Sequence, residues 1–198
     1  MKDKKTILLI IGICMTLTVL VVFLKKRNKN VPTTEIGQVI DSLNGVKVYY
    51  NGPYSNISGR NWTKDHYNLG LKYQCVEFVK RYYYQQLNHK MPDSYGHAKD
   101  FFDISLKDGS FNKKRGLNQY KNQSKTKPKA NDLLIFSGTI FNKFGHVAIV
   151  SVVKGNKIEI IQQNAGETTN ARETFSLKKI NSKWSIDNYR VLGWLRKE

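Results

Sequence analysis

The stretch YQCVEFVKRYY, residues 73–83, places a cysteine at the start of an amphipathic segment. Its apolar residues recur at helical spacing, which predicts a helix over residues 74–86 with Cys75 in the first turn. The backbone N–H groups and the dipole of a helix N-terminus favour negative charge and lower the pKa of a thiol there. The position suits a reactive thiolate, although a lone cysteine on a half-apolar helix also suits simple packing.

An apolar segment precedes this region. Residues 6–24, TILLIIGICMTLTVLVVFL, contain no charge, and at about 1.5 Å per residue such a helix is roughly 28 Å long, close to the hydrocarbon thickness of a bilayer. A cleaved signal peptide is the competing interpretation, but its apolar core is usually shorter and ends in small residues. We therefore predict a short tail at residues 1–5, a transmembrane anchor at 6–24 and a linker at 25–34. Lys and Arg flank the span on both sides, so flanking charge does not orient it.

The chain is strongly basic. Its formal net charge is +18, and residues 31–198 hold 26 Lys and Arg against 14 Asp and Glu. Such charge points to cell-wall polymer, anionic lipid or nucleic acid, with a soluble lysine-rich surface as the alternative. No nucleic-acid recognition motif is present. The histidines and cysteines lack the spacing of a metal site, and we predict neither a cofactor nor an oligomeric state.

Cysteine usage sets Cys75 apart. The chain has two cysteines, and Cys14 lies within the predicted membrane span. Cys75 therefore has no intramolecular disulfide partner outside that span, and an unpaired thiol in an exported domain calls for an explanation.

Helical patterns come first and strand patterns afterwards in the domain predicted at residues 35–198. Apolar spacing predicts helices at residues 36–43, 74–86 and 96–102. Residues 53–72 are predicted as an irregular loop, and the basic stretch that ends at Pro128 as an exposed connection. Four β-rich runs follow: DLLIFSG, HVAIVSVV, KIEIIQQN and YRVLGWLR. This order predicts an α+β domain with N-terminal helices packed on an antiparallel sheet.

His146 is the histidine best placed to serve Cys75 as a base. In FGHVAIVSVV it follows a glycine and opens an apolar strand, a position from which a rigid scaffold can present chemistry. His66, His89 and His97 fall in loops or at helix ends, where a surface or hydrogen-bonding role is expected.

Gln162 and Asn164 are the candidates for the residue that orients the imidazole, since they share one strand face by period-two alternation. A two-residue turn at 155–156 would put Asn164 on the wrong face. A three-residue loop at 154–156 brings His146 opposite Asn164 instead. A Cys/His/Asn site therefore requires an odd-length loop or a bulge in this hairpin. The alternative for both residues is a strand end that turns polar at the surface.

Five blocks in order, YQCVEFVKRYY, PKANDLLIF, GHVAIV, IIQQN and VLGWLR, resemble the CHAP family of cysteine amidases and peptidases over about residues 46–196. The blocks especially resemble the amidase domain of glutathionylspermidine synthetase/amidase, in which Gln-Cys-Val-Glu-Phe opens the nucleophile helix. The resemblance implies a papain-like (CHAP/NlpC-P60-like) fold. It also implies Cys75 as nucleophile, His146 as base and an acidic or amide residue on the following strand.

The following strand departs from the family pattern. Many relatives carry Glu where Gln162 stands, with an Asn two residues later that matches Asn164. A neutral Gln cannot stabilise imidazolium as a carboxylate does, but it can fix the tautomer by accepting from the ring N–H. The resemblance thus implies catalytic Cys75, His146 and Asn164, with Gln162 in an orienting role. Gln74, which matches the family's usual glutamine, or the Cys75 backbone N–H would hold the oxyanion.

The expected function is a membrane-anchored, extracytoplasmic cysteine amidohydrolase. It would cleave amide bonds of peptidoglycan stem peptides or cross-bridges through a thioester. The predicted partners are peptidoglycan or another anionic wall polymer, and the membrane through residues 6–24, with no specific nucleic acid. Two alternatives stay open: a glutathionylspermidine-type amidase, and a non-catalytic wall-binding protein of the same fold, which the glutamine at position 162 would suit.

Overall fold

The computed structural model describes residues 3, 11–19, 34–166 and 169–198. Contacts divide the chain into two units, Met1–Thr33 and Thr34–Glu198. Residues 11–19 are helical, and no helix among the described residues is both long and apolar enough to cross a membrane. The other residues of the predicted tail, anchor and linker lie outside the described residues, apart from Asp3 and Thr34.

The second unit is built mainly from short strands. Its helices are α1 (Cys75–Leu87) and a 3-10 helix (Ala98–Phe101). The strands of the N-terminal part are β1 (Val39–Leu43), β2 (Val46–Tyr49), β3 (Arg60–Trp62) and β4 (Asn68–Leu71). The strands after α1 are β5 (Ser110–Asn112), β6 (Leu117–Lys121), β7 (Leu133–Phe136), β8 (His146–Lys154), β9 (Lys157–Ile161), β10 (Arg172–Ile180), β11 (Lys183–Ile186) and β12 (Val191–Arg196).

One large sheet organises this unit. Eight strands pair in the order β11-β10-β9-β8-β7-β12-β6-β5, and each neighbouring pair is antiparallel. The hairpins β1-β2 and β3-β4 form two separate two-stranded sheets. The predicted combination of helix and large antiparallel sheet is confirmed.

The core lies on both faces of the sheet. Val147 and Ile149 of β8 belong to the cluster that includes the apolar face of α1, whereas Ala148 and Val150 belong to a second cluster around Trp194. This alternation is the period of two expected of a strand that is buried on both sides. The α1 residues in the first cluster are buried completely: Phe78, Val79, Tyr82 and Tyr83. At about 1.5–3 kcal/mol for each large apolar side chain, this face fixes the start of α1 against β8.

The predicted helix at residues 36–43 is wrong, because this segment contains strand β1. A β-bulge lies between Val39 and Asp41, and both Ile40 and Leu43 pack against the core. A bulge adds one residue to a strand, so core-facing residues recur three apart instead of two. That spacing imitates a helix.

Two other predictions of irregular structure are also wrong. Residues 53–72 contain the hairpin β3-β4, and the basic stretch before Pro128, which begins at Asn112, contains β6. Its Arg115 is buried and donates to the backbone carbonyls of Asp93, Tyr95 and Asp100. Because a paired guanidinium can be buried, the basic composition did not mark an exposed segment.

The remaining element predictions hold, and two strands were omitted. The helix at 74–86 is confirmed as α1, and the four β-rich runs correspond to β7, β8, β9 and β12. Residues 96–102 contain the 3-10 helix. Strands β10 and β11, which extend the sheet beyond β9, were not predicted.

The β8-β9 hairpin combines a short turn with a bulge. A two-residue turn at 155–156 pairs Lys154 with Lys157, so the loop is not of odd length. Ser151 is the extra residue of β8, and its bulge lies between the pairs Val150 with Ile160 and Val152 with Glu159. Beyond the bulge, the residues of β8 and β9 pair as they would in a hairpin with a three-residue loop and no bulge. Of the two conditions stated for a Cys/His/Asn site, an odd-length loop or a bulge, the hairpin meets the second.

Candidate active site

The start of α1 positions Cys75. The preceding Gln74 is the extended N-cap, with φ −86° and ψ 158°, and Cys75 is the first helical residue. Gly70 in β4 has φ +124°, and a Cβ there would lie 3.3 Å from the backbone nitrogen of Glu77. Glycine thus allows β4 to approach the first turn of α1 closely. The predicted placement of Cys75 in the first turn is confirmed.

The Cys75 thiol is held in its protonated form by its surroundings. Burial raises the pKa of Cys75 to about 11, although hydrogen bonds with the backbone of Val147 and Val76 act to lower it. The expectation of a lowered thiol pKa is therefore wrong for the free protein, because desolvation outweighs the contacts at the helix start. The contact with Val147 places Sγ beside the residue that follows His146 in β8.

His146 is the first residue of β8. Gly145 before it has φ +77°, and a Cβ there would lie 2.6 Å from the carbonyl oxygen of Phe136, so the approach requires glycine. The imidazole packs against the Phe136 ring, with 5.9 Å between centroids. Burial lowers the pKa of His146 to about 4, and Arg190 lowers it further, whereas the hydrogen bond with Gln162 raises it. The ring is thus neutral at pH 7, the form that accepts a proton.

Gln162 links His146 to a carboxylate. Its side chain is 7% exposed, and its Oε1 lies 2.9 Å from Nε2 of His146. Its own Nε2 donates to Oε2 of Glu173 over 3.3 Å. Because an amide oxygen only accepts, the ring donates from Nε2–H, and Nδ1 is left as the acceptor. Gln162 thus occupies the place expected of an orienting residue.

Asn164 contacts Gln74 instead of His146. Its Nδ2 donates to Oε1 of Gln74 over 2.6 Å and to the carbonyl oxygen of Tyr54 over 3.0 Å. Strand β9 ends at Ile161 and Asn164 has φ +56°, so the strand alternation that would place it beside Gln162 does not extend this far. The structure therefore brings Cys75, His146 and Gln162 to one region and separates Asn164 from the imidazole.

The Gln74 side chain is held at both ends of its amide. Its Oε1 accepts from Asn164, and its Nε2 donates to the carbonyl oxygen of Asn56 over 2.7 Å. These bonds tie the residue before Cys75 to the loop at residues 54–56. The amide that was expected to face an oxyanion is thus engaged with the protein itself.

Sequence analysis missed a buried polar network behind the site. Gln163 is fully buried and donates to Glu77 and to the backbone carbonyl of Gln74 over 2.9 and 3.0 Å. It accepts from the backbone of Tyr49 over 2.8 Å. Glu77 pairs with Arg81 at 2.6 Å. The sequence signal that could have revealed this network is the pair of Glu77 and Arg81. They are an acid and a base four residues apart in the predicted helix.

A cleft of about 310 Å³ opens beside His146 and Gln162. Its charged lining residues are Glu173 and Arg190. Its aromatic lining residues are Tyr54, Phe136 and Phe141, and its neutral polar ones include Asn142, Asn164 and Asn188. Arg190 donates from Nη2 to the carbonyl oxygen of Ser137 over 3.1 Å, while its buried Nε has no partner among the described residues. The cleft offers apolar walls with one acid and one base, a combination suited to a polar amide or peptide.

Among the described residues, no group of three or more His, Cys, Asp or Glu side chains is arranged to hold a metal ion.

Comparisons with known proteins bear on this site. A family model described as the CHAP domain matches residues 64–164, slightly more than half of the chain. The chain is 27% identical over 179 residues to the bifunctional glutathionylspermidine synthetase/amidase of Escherichia coli (strain K12), covering 80% of this chain and 29% of the relative. It is 27% identical over 119 residues to the trypanothione synthetase of Crithidia fasciculata, covering 60% of this chain and 18% of the relative. The chain thus spans less than a third of the length of these relatives.

A solved structure is also similar. The crystal structure of Ly7917 aligns with a TM-score of 0.44 at 19% identity, over 63% of this chain and 53% of that chain.

Proposed function

The chain belongs to the CHAP domain family, and on this premise we propose that it is a cysteine-dependent amidohydrolase that cleaves peptidoglycan stem peptides or cross-bridges. One observation carries the proposal. A thiol at a helix start lies against the backbone of β8, where the first residue is an imidazole whose Nε2 is engaged by an amide oxygen. In this proposal Cys75 is the nucleophile, His146 the base and Gln162 the residue that orients the base.

The proposed reaction starts from a neutral thiol and a neutral imidazole. Because the pKa values of Cys75 and His146 are about 11 and about 4, proton transfer accompanies nucleophilic attack instead of preceding it. Nδ1 takes the thiol proton as Sγ bonds to the carbonyl carbon and the π electrons move to oxygen. The C–N bond then breaks, the amine leaves with the proton from Nδ1, and a thioester remains. Water then attacks the thioester, with His146 taking its proton. The bond between the carbonyl carbon and Sγ breaks, Sγ takes the proton from His146, and the carboxylic acid is released.

The backbone N–H of Cys75 is the proposed oxyanion donor. The first N–H groups of a helix have no helical partner and point toward its N-terminus, where the tetrahedral oxygen would develop charge. The Gln74 amide is already engaged with Asn56 and Asn164. We assign Gln74 and Asn164 the role of holding the loop at residues 54–56 against the start of α1.

Peptidoglycan is favoured as the substrate by charge and by the form of the cleft. Residues 31–198 carry 26 Lys and Arg against 14 Asp and Glu, which favours association with an anionic wall polymer. The cleft combines aromatic walls with one acid and one base, as a peptide substrate requires. The proposed setting is the outer face of the cell membrane with residues 6–24 as the anchor, and this setting rests on the amino-acid sequence alone.

A glutathionylspermidine-type amidase is the second candidate. The similarity to the synthetase/amidase at 27% identity covers 80% of this chain, and Glu173 places a carboxylate in the cleft that could bind a polyamine cation. The two candidates differ in the size and charge of the amine that leaves.

Digestion assays distinguish these functions. The full chain is incubated with purified peptidoglycan and, separately, with glutathionylspermidine, and the products are identified by mass spectrometry. We expect new amine and carboxyl termini in the peptidoglycan fragments, none with Cys75→Ala, and unchanged products with Gln86→Ala, which alters an exposed glutamine of α1. Cleavage of glutathionylspermidine alone would select the second candidate. Cleavage of neither substrate, or turnover by a folded Cys75→Ala protein, would reject the proposed function.

A further inference from the structure

We infer that Glu173 is a positioning residue that fixes the orientation of the Gln162 amide and, through it, the tautomer of His146. The inference rests on the proposed function, since it concerns the same pair of Cys75 and His146. It adds a residue from β10, a strand that contributes no other group to the proposed chemistry.

The geometry places the Gln162 amide between two groups. Its Oε1 lies 2.9 Å from Nε2 of His146, and its Nε2 lies 3.3 Å from Oε2 of Glu173. The oxygen and the NH₂ group of an amide exchange places by a half turn about the last side-chain bond, with almost no change in shape. A neutral imidazole nitrogen can pair with either end of the amide, because it donates a hydrogen bond when protonated and accepts one when unprotonated. The Glu173 carboxylate can pair only with the NH₂ end of the amide, because carboxylate oxygens accept hydrogen bonds and do not donate them.

The carboxylate of Glu173 therefore determines which end of the amide faces the ring. The NH₂ group turns toward Glu173, so the oxygen turns toward His146 and retains the proton on Nε2. Nδ1 is then free to take the thiol proton, and the resulting imidazolium still has an acceptor at Nε2. With the amide reversed, the NH₂ group would favour the tautomer protonated on Nδ1, and the base would be lost.

The location of Glu173 agrees with this role. It pairs with Ile160 of β9 in the register of β9 and β10, which brings its side chain near the end of β9, where Gln162 follows. Glu173 is exposed and lines the cleft. The other charged group that bears on His146 is Arg190, from the segment before β12.

Alkylation of Cys75 by iodoacetamide tests the inference without any substrate. The full chain is treated over a range of pH, and peptide mapping by mass spectrometry follows Cys75, with an added cysteine-containing peptide as the reference. Glu173→Ala should slow alkylation of Cys75 at pH 7 by about five- to tenfold, the effect of losing about one hydrogen bond. Glu35→Ala removes the same charge from another exposed site and should leave the rate unchanged.

A rescue experiment separates positioning from other effects of the carboxylate. Gln162→Glu in the Glu173→Ala background should restore the rate, because a carboxylate at position 162 accepts from Nε2–H whichever way it is turned. Histidine ¹⁵N NMR gives a second measure that does not depend on this variant. In Glu173→Ala we expect His146 to shift toward the tautomer protonated on Nδ1.

The outcomes are distinct. An unchanged alkylation profile and an unchanged His146 tautomer in Glu173→Ala would overturn the inference. A slowed rate that the double variant fails to restore would overturn it as well, because Glu173 would then act on something other than the amide. If the variants behave as expected but peptidoglycan is not cleaved, the proposed substrate is rejected and the positioning role stands.

Discussion

Replacing Gln162 by alanine removes the acceptor that holds the His146 ring, and we expect kcat to fall while KM changes little. The Oε1 of Gln162 lies 2.9 Å from Nε2 of His146, and the ring gains a positive charge when it takes the thiol proton. An interaction that strengthens as the imidazolium forms stabilises the transition state more than the bound substrate. Its loss therefore appears in kcat.

The charge on the ring sets the magnitude of the loss. Hydrogen bonds to charged groups contribute about 1.5–3 kcal/mol, and about 1.4 kcal/mol corresponds to a factor of ten. We therefore expect kcat to fall about 10- to 100-fold in Gln162→Ala. A water from the cleft that replaces the amide oxygen would bring the effect to the lower end. Asn164→Ala removes neutral hydrogen bonds to Gln74 and Tyr54, so its effect on kcat should stay below about tenfold.

Steady-state kinetics of both variants measure this difference, on the amide that the peptidoglycan digestion identifies. Gln86→Ala is the matched control, because it makes the same change at an exposed position of α1. Melting temperatures of all three variants show whether each is folded at the assay temperature.

A larger loss of kcat in Asn164→Ala than in Gln162→Ala would refute the reasoning. The side chain that contacts the imidazole would then not be the one that orients it. A raised KM with unchanged kcat in Gln162→Ala would instead place this residue in substrate binding.

Three other predictions concern the fold and its charges. Gly193→Ala should lower the melting temperature strongly, because a Cβ there would overlap the carbonyl oxygen of Tyr120 in the neighbouring strand; calorimetry measures the change. Burial lowers the pKa of Lys80 from 10.5 to about 7, so between these values the unfolded chain binds more protons, and Lys80 makes the free energy of unfolding rise with pH. Denaturant titrations across this range should show a flatter dependence in Lys80→Met. Arg190→Gln should raise the pKa of His146, because the guanidinium is one of the causes that lower it, and NMR titration of the ring measures the shift.

Each of these predictions has a contrary result. An unchanged melting temperature in Gly193→Ala would mean that β6 and β12 separate locally without cost. An equal pH dependence of stability in the wild-type protein and in Lys80→Met would show that Lys80 stays charged in the folded state. A His146 pKa that does not rise in Arg190→Gln would show that solvent screens the guanidinium from the ring.

Apolar residues in distinct runs made much of the fold predictable. The helix α1 and strands β7, β8, β9 and β12 are rich in apolar residues, and each was predicted close to its observed position. Strand β1 was not, because the bulge between Val39 and Asp41 gives a strand the spacing of a helix. Strand β6 was missed because it lies in a basic stretch, and the partners that allow Arg115 to be buried there come from residues 93–100.

The candidate site was also predictable only in part. Cys75 and His146 could be placed from the sequence because each opens a regular element after a loop. The partner of His146 could not, since the choice between Gln162 and Asn164 depends on where β9 ends and on the left-handed conformation of Asn164. The role of Glu173 also could not be predicted from the sequence, because its contact with Gln162 requires the pairing of β9 with β10.

The bulge at Ser151 keeps the base in place on a hairpin with a two-residue turn. If residues 146–154 formed a regular strand beside that turn, the pair of Lys154 with Lys157 would put His146 and Gln162 on opposite faces of the sheet. The bulge takes up Ser151 as an unpaired extra residue, so the pairs beyond it shift by one and the two side chains share a face. Deleting Ser151 would therefore straighten the strand and leave His146 beside Gln162. An insertion in β8 that the strand accommodates by shifting its pairs by one residue would turn the imidazole away and leave every site residue in the chain.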